Sequence, residues 1–433
     1  MSRVPSTLLA VVLLSGCASH TGRTPRDDAA RTRRIEAAAP AVKALQEARF
    51  EDALRESASV FQQDDGNATA HAVWAVAELR QTLHDMVTDG FTVFMGLAGS
   101  EFMRRGIVST RLLDVVLTDA DRRMEGIEAH LAKAAKDPGF SLDLCMACWK
   151  VDWNRNGEID ERDLRMLQVE YDAQGEAIPE GDPRRTPTFR FDAADVSWLR
   201  AMVNFQRALI NGLLAYDVGS ALESVVGRGK PSGPIVIRLR DRSRVQRARS
   251  LILAGLEQSR REREQVLAET DDEREWLPNP RQKSHPLPFP VDEALFQTWE
   301  GVLSDLEGLM RSEQGLSVAE LAQLGDHQWV NPPKGFIDVG RLLSEPGDIV
   351  LNPERLDEAE DIARRANIER QMHGEQSISP VPVEEVLKET LGEKYRPEMK
   401  PTPLIRRLSR MKSEIDRGEE SFERKLRYLL WIN

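Results

Sequence analysis

The chain is poor in cysteine, with three among its 433 residues. A four-cysteine zinc site would need a second pair beside Cys145 and Cys148, and there is none. A c-type haem would need His after the second cysteine, where Trp149 stands. Basic residues are not in excess: 59 Lys and Arg face 71 Asp and Glu, for a formal charge of −12. That balance argues against nucleic acid, whose binding draws on clustered positive charge, and is compatible with divalent cations. Beyond the first residues no stretch holds 18 uninterrupted apolar residues, so the body is expected to be soluble rather than membrane-spanning. The His-Glu-x-x-His, Gly-x-Ser-x-Gly and Gly-Lys-Ser/Thr signatures are missing, and the seven histidines are scattered. Nothing in the pattern supports an enzyme. Alternating β-branched runs are also few, and helical spacing dominates.

The first residues speak to compartment. Arg3 precedes the short apolar run Leu8-Leu9-Ala10-Val11-Val12-Leu13-Leu14, and Ser15-Gly16-Cys17 follows. Leu14-Ser15-Gly16-Cys17 resembles a bacterial lipobox. The resemblance implies a signal peptide over 1–16, cleavage before Cys17, and acylation of Cys17 as a lipid anchor. Several acyl chains anchor stably where one is marginal. Ala18 stands where an Asp would favour the inner membrane, which suggests the outer membrane. A plain secretory leader with an incidental cysteine is the alternative. Residues 17–36 read as the lipidated cysteine and a polar, flexible tether.

The segment 37–140 reads as helical pairs. Ala44-Leu45 through Phe50, Ala53-Leu54, Val60-Phe61 and the polar turn Asp64-Asp65-Gly66-Asn67 give a small–aromatic–small cadence. Met124 to Ile127, then Leu131 to Asp137-Pro138, repeats it loosely. Both stretches resemble tetratricopeptide (TPR) repeat halves, without a clean 34-residue period. Plain antiparallel amphipathic helices are the alternative. The apolar stretch from Gly90 to Leu117 reads as core. Residues 173–234 read as an irregular connection and a long helix, with Asp195 as its N-cap. The segment 235–433 reads as a helical C-terminal region. In it, six arginines between Arg238 and Arg249 are expected on a solvated face, paired with Glu262, Glu264, Glu269 and Asp271. Ser317-Val318-Ala319-Glu320 and Pro353-Glu354 read as helix starts, and Ile349-Val350-Leu351 as a short strand. The apolar end, Leu426 to Asn433, is expected to dock on the body.

The most chemistry-bearing stretch is Asp152-Trp153-Asn154-Arg155-Asn156-Gly157-Glu158-Ile159-Asp160-Glu161-Arg162-Asp163. A hard cation needs six to eight oxygens. Asp152, Asn154 and Asn156 alternate on one side of a tight turn, and Gly157 occupies the position where the backbone must bend. The run resembles the EF-hand calcium loop at all twelve positions. The resemblance implies Asp152, Asn154, Asn156, Glu158 (through its carbonyl), Asp160 and Asp163 as ligands of Ca²⁺, with Mg²⁺ as a competitor. Ile159 is then the residue that pins the loop to the core. The closing position departs from the usual Glu: Asp163 is one methylene shorter, as in dockerin modules. No second loop is evident, since 119–124 lacks the central Gly and 335–351 has the wrong spacing. Over the segment 141–172, Leu142, Leu144, Cys145, Cys148, Trp149 and Val151 are expected on an entering helix. Leu164, Leu167 and Tyr171 are expected on an exiting one. Cys145 and Cys148 form either a local disulfide or a pair of free thiols.

The expected architecture is all-α: a helical, TPR-like array with one inserted EF-hand helix-loop-helix. The expected function is a calcium-binding outer-membrane lipoprotein serving as a non-catalytic interaction scaffold for other envelope proteins. The alternatives are a periplasmic accessory protein of a transport system, which an apolar channel between helices would favour, and an envelope enzyme, which a perturbed carboxylate pair in a cleft would favour.

Overall fold

The computed structural model describes residues 25–98, 110–152, 157–165, 167–172, 176–218, 233–272, 274–283, 285, 291–322, 335–351 and 398–415, together with 365, 368–370, 372 and 373. The expected signal peptide, Cys17, Asn154, Asn156, the helix start at Pro353 and the apolar end 426–433 lie outside the described residues.

The fold is predominantly helical. It opens with α1 (Pro25–Gln46), α2 (Phe50–Gln63), α3 (Ala68–Ala98) and α4 (Thr110–Ala134). A mixed segment follows: β1 (Leu142–Leu144), a 3-10 turn (Met146–Cys148), α5 (Glu161–Arg165), a second 3-10 turn (Pro183–Arg185) and β2 (Phe189–Phe191). Next come α6 (Ala193–Leu214), β3 (Ile235–Ile237) and α7 (Arg242–Ala268). The last elements are α8 (Glu293–Met310), β4 (Leu316–Ser317), α9 (Val318–Ala322), β5 (Phe336–Ile337), α10 (Val339–Ser344), β6 (Ile349–Leu351) and α11 (Leu404–Ile415). The strands pair two by two and antiparallel, β1 with β2, β3 with β6 and β4 with β5.

The long helices form a chain of neighbours. The first three pack together, then α3 on α4, α4 on α6, α6 on α7, α7 on α8 and α8 on α11. Small residues allow the close approach of the first three: Ala41, Ala44, Ala53, Ala72, Ala75 and Ala77 are buried in one core. On α4, Met124, Ile127, Leu131 and Ala134 recur at helical spacing and are fully buried. Each large apolar side chain so buried is worth roughly 1.5–3 kcal/mol. Beside this core runs a charged seam. Asp121 and Glu128 of α4 meet Arg207 and Arg200 of α6 at 3.0 and 2.8 Å, and Glu125 meets Arg247 of α7 at 2.9 Å.

Several expectations need correction. Helix α1 begins inside the expected tether: Pro25 suits a first helical turn, and Arg34 fastens the helix to Asp64 at 2.7 Å. The N-cap of α6 is Asp192 rather than Asp195. Asp192 accepts from the amides of Ala194 and Asp195, and Asp195 returns the bond to the Asp192 amide at 2.8 Å. The arginines do pair with acids, but with others than expected. Arg240 reaches Asp114 (2.6 Å) and Asp217, and Arg247 reaches Glu125, while Arg249 donates to the Met310 carbonyl at 2.7 Å. The cause is packing: α7 lies against α6 and faces α4, so acids across that interface are nearer than those farther along its own helix. The strand at Ile349–Leu351 is present, and Ser317 Oγ accepts from the Glu320 amide at 3.3 Å at the start of α9.

Candidate cation loop and the adjoining cavity

The described part of the loop is shaped by its own acids. Gly157 adopts φ +89°, a conformation that L side chains rarely take, and its amide donates to Asp152 Oδ2 at 2.8 Å. The first and sixth positions are thereby drawn together. Asp160 and Asp163 form a reciprocal cap on α5: Asp163 Oδ2 accepts from the Asp160 amide at 3.1 Å, and Asp160 Oδ1 from the Asp163 amide at 3.3 Å. Asp163 is buried, while Glu158 is exposed. These side chains supply oxygen, the donor a hard cation prefers. Among the described residues no group of three or more His, Cys, Asp or Glu is gathered to hold a metal. The structure therefore brings Asp152 to Gly157 and Asp160 to Asp163, without joining the four acidic positions into one ligand set.

The flanks differ from a helix-loop-helix. The entering segment is β1 and a 3-10 turn, not a helix. Leu142 and Leu144 point inward from β1 and sit opposite Phe191 and Phe189 of β2. A disulfide joins Cys145 to Cys148 across the turn. The exiting helix α5 has five residues, after which Tyr171 bridges to Ala177 and the Val169 amide donates to the Arg185 carbonyl at 3.0 Å. Ile159, expected to pin the loop, is 49% exposed. The pinning falls to the flanks instead. Leu142, Leu144 and Trp149 join the main helical core, and Val169 and Ile178 pack with Phe189 and Trp276.

Those same flanks wall a cavity of about 440 Å³, within the ~300–1,000 Å³ common for ligand sites. Leu144, Met146, Trp149 and Leu167 close one side, and Val76, Leu79 and Leu83 of α3 another. Val196, Trp198, Leu199 and Met202 of α6 and Trp276 complete the apolar wall. Its polar members are Arg80, His84, Asp195 and Gln206. Trp149 Nε1 and Gln206 Oε1 are buried and have no hydrogen-bond partner among the described residues. Arg80 lays its guanidinium 4.8 Å from the centre of the Phe50 ring, and Phe50 meets Trp149 edge-on at 5.2 Å. Arg80 and Trp149 therefore stand at the same end. Local sequence pattern gave no sign of this site, because its walls come from segments far apart in the chain that helix packing and β1–β2 pairing bring together.

Acids cluster near the start of α6. Burial raises Asp192 above the usual carboxylate range. Burial, reinforced by the charge of Asp192, holds Asp195 well above it. Burial and then the charges of Asp192 and Glu275 do the same for Glu269. Elsewhere, two of the scattered histidines meet. His71 Nδ1 lies 2.8 Å from His130 Nδ1, between Phe61 and Trp74. Burial, then the charge of His71, lowers His130 to about 4, so the pair is neutral at pH 7.

No protein-family model matches the chain, and neither a curated protein nor a solved structure does.

Proposed function

We propose that the chain is a calcium-binding lipoprotein of the bacterial cell envelope, anchored in the outer membrane through Cys17, whose TPR-like helical array is a non-catalytic scaffold for other envelope proteins. Calcium, with Mg²⁺ as the weaker competitor, is taken by Asp152, Asn154, Asn156, Glu158, Asp160 and Asp163, and stiffens the segment around the loop. The observation that carries this reading is the built-in loop. Both of its flanks are packed into buried cores, so a cation that fixes the loop also fixes the body it is embedded in. The Cys145–Cys148 disulfide supports an oxidising compartment. No nucleic-acid partner is proposed, given the acidic balance.

Calcium titration calorimetry on the whole chain, with magnesium as competitor, tests the reading. One saturable site is expected, with a Kd of roughly 10⁻⁴ to 10⁻³ M as in extracellular modules. Asp152→Ala should abolish it. Silence at millimolar calcium would overturn the calcium assignment and leave the loop a polar turn. A second reading, an accessory protein of a transport system that carries a small apolar molecule, is favoured by the cavity between α3, β1 and α6.

A further inference from the structure

The disulfide between Cys145 and Cys148 joins residues three apart, so it closes a very short loop. A cross-link stabilises a fold mainly by restraining the unfolded chain, and the gain shrinks with the loop it closes. The turn it spans is held by other means. The Cys148 amide donates to the Cys145 carbonyl and the Trp149 amide to the Met146 carbonyl, both at 3.1 Å. Strand β1 ends at Leu144, immediately before the turn, and is fixed by its register with β2. Leu144, Ala147 and Trp149 are buried. The backbone here therefore does not need the cross-link to keep its shape. The two ends of the bond also differ. Cys148 is exposed, whereas Cys145 is half-buried and its Sγ lies 3.5 Å from the Thr186 carbonyl oxygen.

We propose that Cys145–Cys148 is a thiol–disulfide exchange site opened by a dithiol reductant, with Cys148 as the sulfur attacked and Cys145 as the leaving thiolate. Exposed disulfides are the labile and reactive ones, and access decides which sulfur an incoming thiolate reaches. One thiolate of the reductant bonds to Cys148 Sγ, and the Sγ–Sγ bond breaks. Cys145 leaves as a thiolate and takes up a proton. The second thiol of the reductant, as thiolate, then attacks the reductant sulfur of the mixed disulfide, and Cys148 leaves and is protonated in turn. Two electrons pass to the cysteine pair, the two thiol protons of the reductant are balanced by those on Cys145 and Cys148, and the reductant becomes a disulfide. The reverse steps close the bond. Because the hydrogen bonds and buried neighbours of the turn do not depend on the cross-link, the fold persists in both states. Exchange at this bond requires neither calcium nor the scaffold role.

Reduction of the whole, folded chain tests this, with dithiothreitol as the probe dithiol. The tryptic peptide 137–150 carries Cys145 and Cys148 and no other cysteine. Acid quenching, alkylation with N-ethylmaleimide and mass analysis of that peptide therefore count the opened sulfurs. The folded chain should open within about tenfold of the rate of the chain unfolded in urea. The reduced form should keep its circular-dichroism spectrum, melt within a few degrees of the oxidised form, and close again on glutathione disulfide. Two variants assign the sulfurs. Cys145→Ser leaves Cys148 to capture glutathione from its disulfide, and it should do so at least about tenfold faster than Cys145 does in Cys148→Ser. Protection of the folded chain beyond the tenfold margin would overturn the exchange site, since the bond would open only on unfolding. Loss of the native spectrum on reduction would overturn it too, by making the bond a structural staple; both of these readings need no variant. Faster capture by Cys145 would overturn the roles given to the two sulfurs.

Discussion

Glu262 projects from α7 into a place where water does not reach. It is 7% exposed, and one of its oxygens, Oε2, has no hydrogen-bond partner among the described residues. Burial alone pushes its carboxyl up from 4.5 to about 8. An ionised carboxylate there gives up its hydration without a replacement, so the folded chain keeps the proton where the unfolded chain releases it. The contribution to stability is therefore whole below pH 4.5 and falls as the pH rises through about 8. Glu262→Gln keeps the shape and has no proton to lose. Each pH unit between the folded and unfolded titration midpoints is worth about 1.4 kcal/mol, so at pH 9 the variant should exceed the parent by roughly 3–5 kcal/mol. At pH 5, just above the unfolded midpoint, the difference should fall to about 1 kcal/mol or less. Thermal melts at pH 5, 7 and 9 decide it, and parallel pH slopes would show that Glu262 does not titrate as a buried acid. The sequence suggested the opposite role, a solvated partner of the arginine run, because nothing within a few residues of Glu262 reveals the helix packed over it.

Helix α6 shows what one element owes to its first turn. Asp192 caps it, yet Asp192 also adds its charge to that of two neighbouring acids, the buried Asp195 and the half-buried Glu269. The two roles can be separated. Asp192→Ala removes the acceptor and should cost about 1 kcal/mol of stability at neutral pH. Asp192→Asn keeps an acceptor for the Ala194 amide and removes the charge, so it should equal or exceed the parent. Denaturant unfolding of the two variants distinguishes them, and equal losses would mean that the cap contributes nothing. At this scale local pattern was a good guide where the structure is local. The long helices, the strand at Ile349–Leu351 and the Ser317 cap follow from spacing and capping chemistry within a few residues. The pattern misled where pairing is distant. Leu142, Leu144, Cys148 and Trp149 suit a helix face as well as a strand and a turn. What decides between them is β2, whose Phe189 and Phe191 lie opposite from more than forty residues away. The same distance hid the cavity. For the loop, Asp152, Gly157, Asp160 and Asp163 were legible as a turn-forming set. The role of Asp160 and Asp163 as mutual caps on α5 was not, since the ligand pattern and the capping pattern use the same acids at the same spacing.

Across the whole molecule, the segments on either side of the loop also wall the cavity. Trp149 and Met146 lie before the loop, Leu167 lies after it, and all three line the cavity. A cation that narrows the motion of Asp152 and Asp163 also narrows the motion of the residues that bracket them. Any ligand that binds only the folded, ordered form stabilises it by RT ln(1 + [L]/Kd). With a Kd of about 10⁻⁴ M, 1 mM calcium adds roughly 1.4 kcal/mol, a rise of a few degrees at most in the melting midpoint of a chain this long. Asp152→Ala should lose that rise, since the first ligand position is gone. Melting curves of the parent and the variant, with and without 1 mM calcium, measure it directly. A parent midpoint that calcium does not move would mean that the disulfide-closed turn between Cys145 and Cys148 and the packed flanks already hold this segment without a cation.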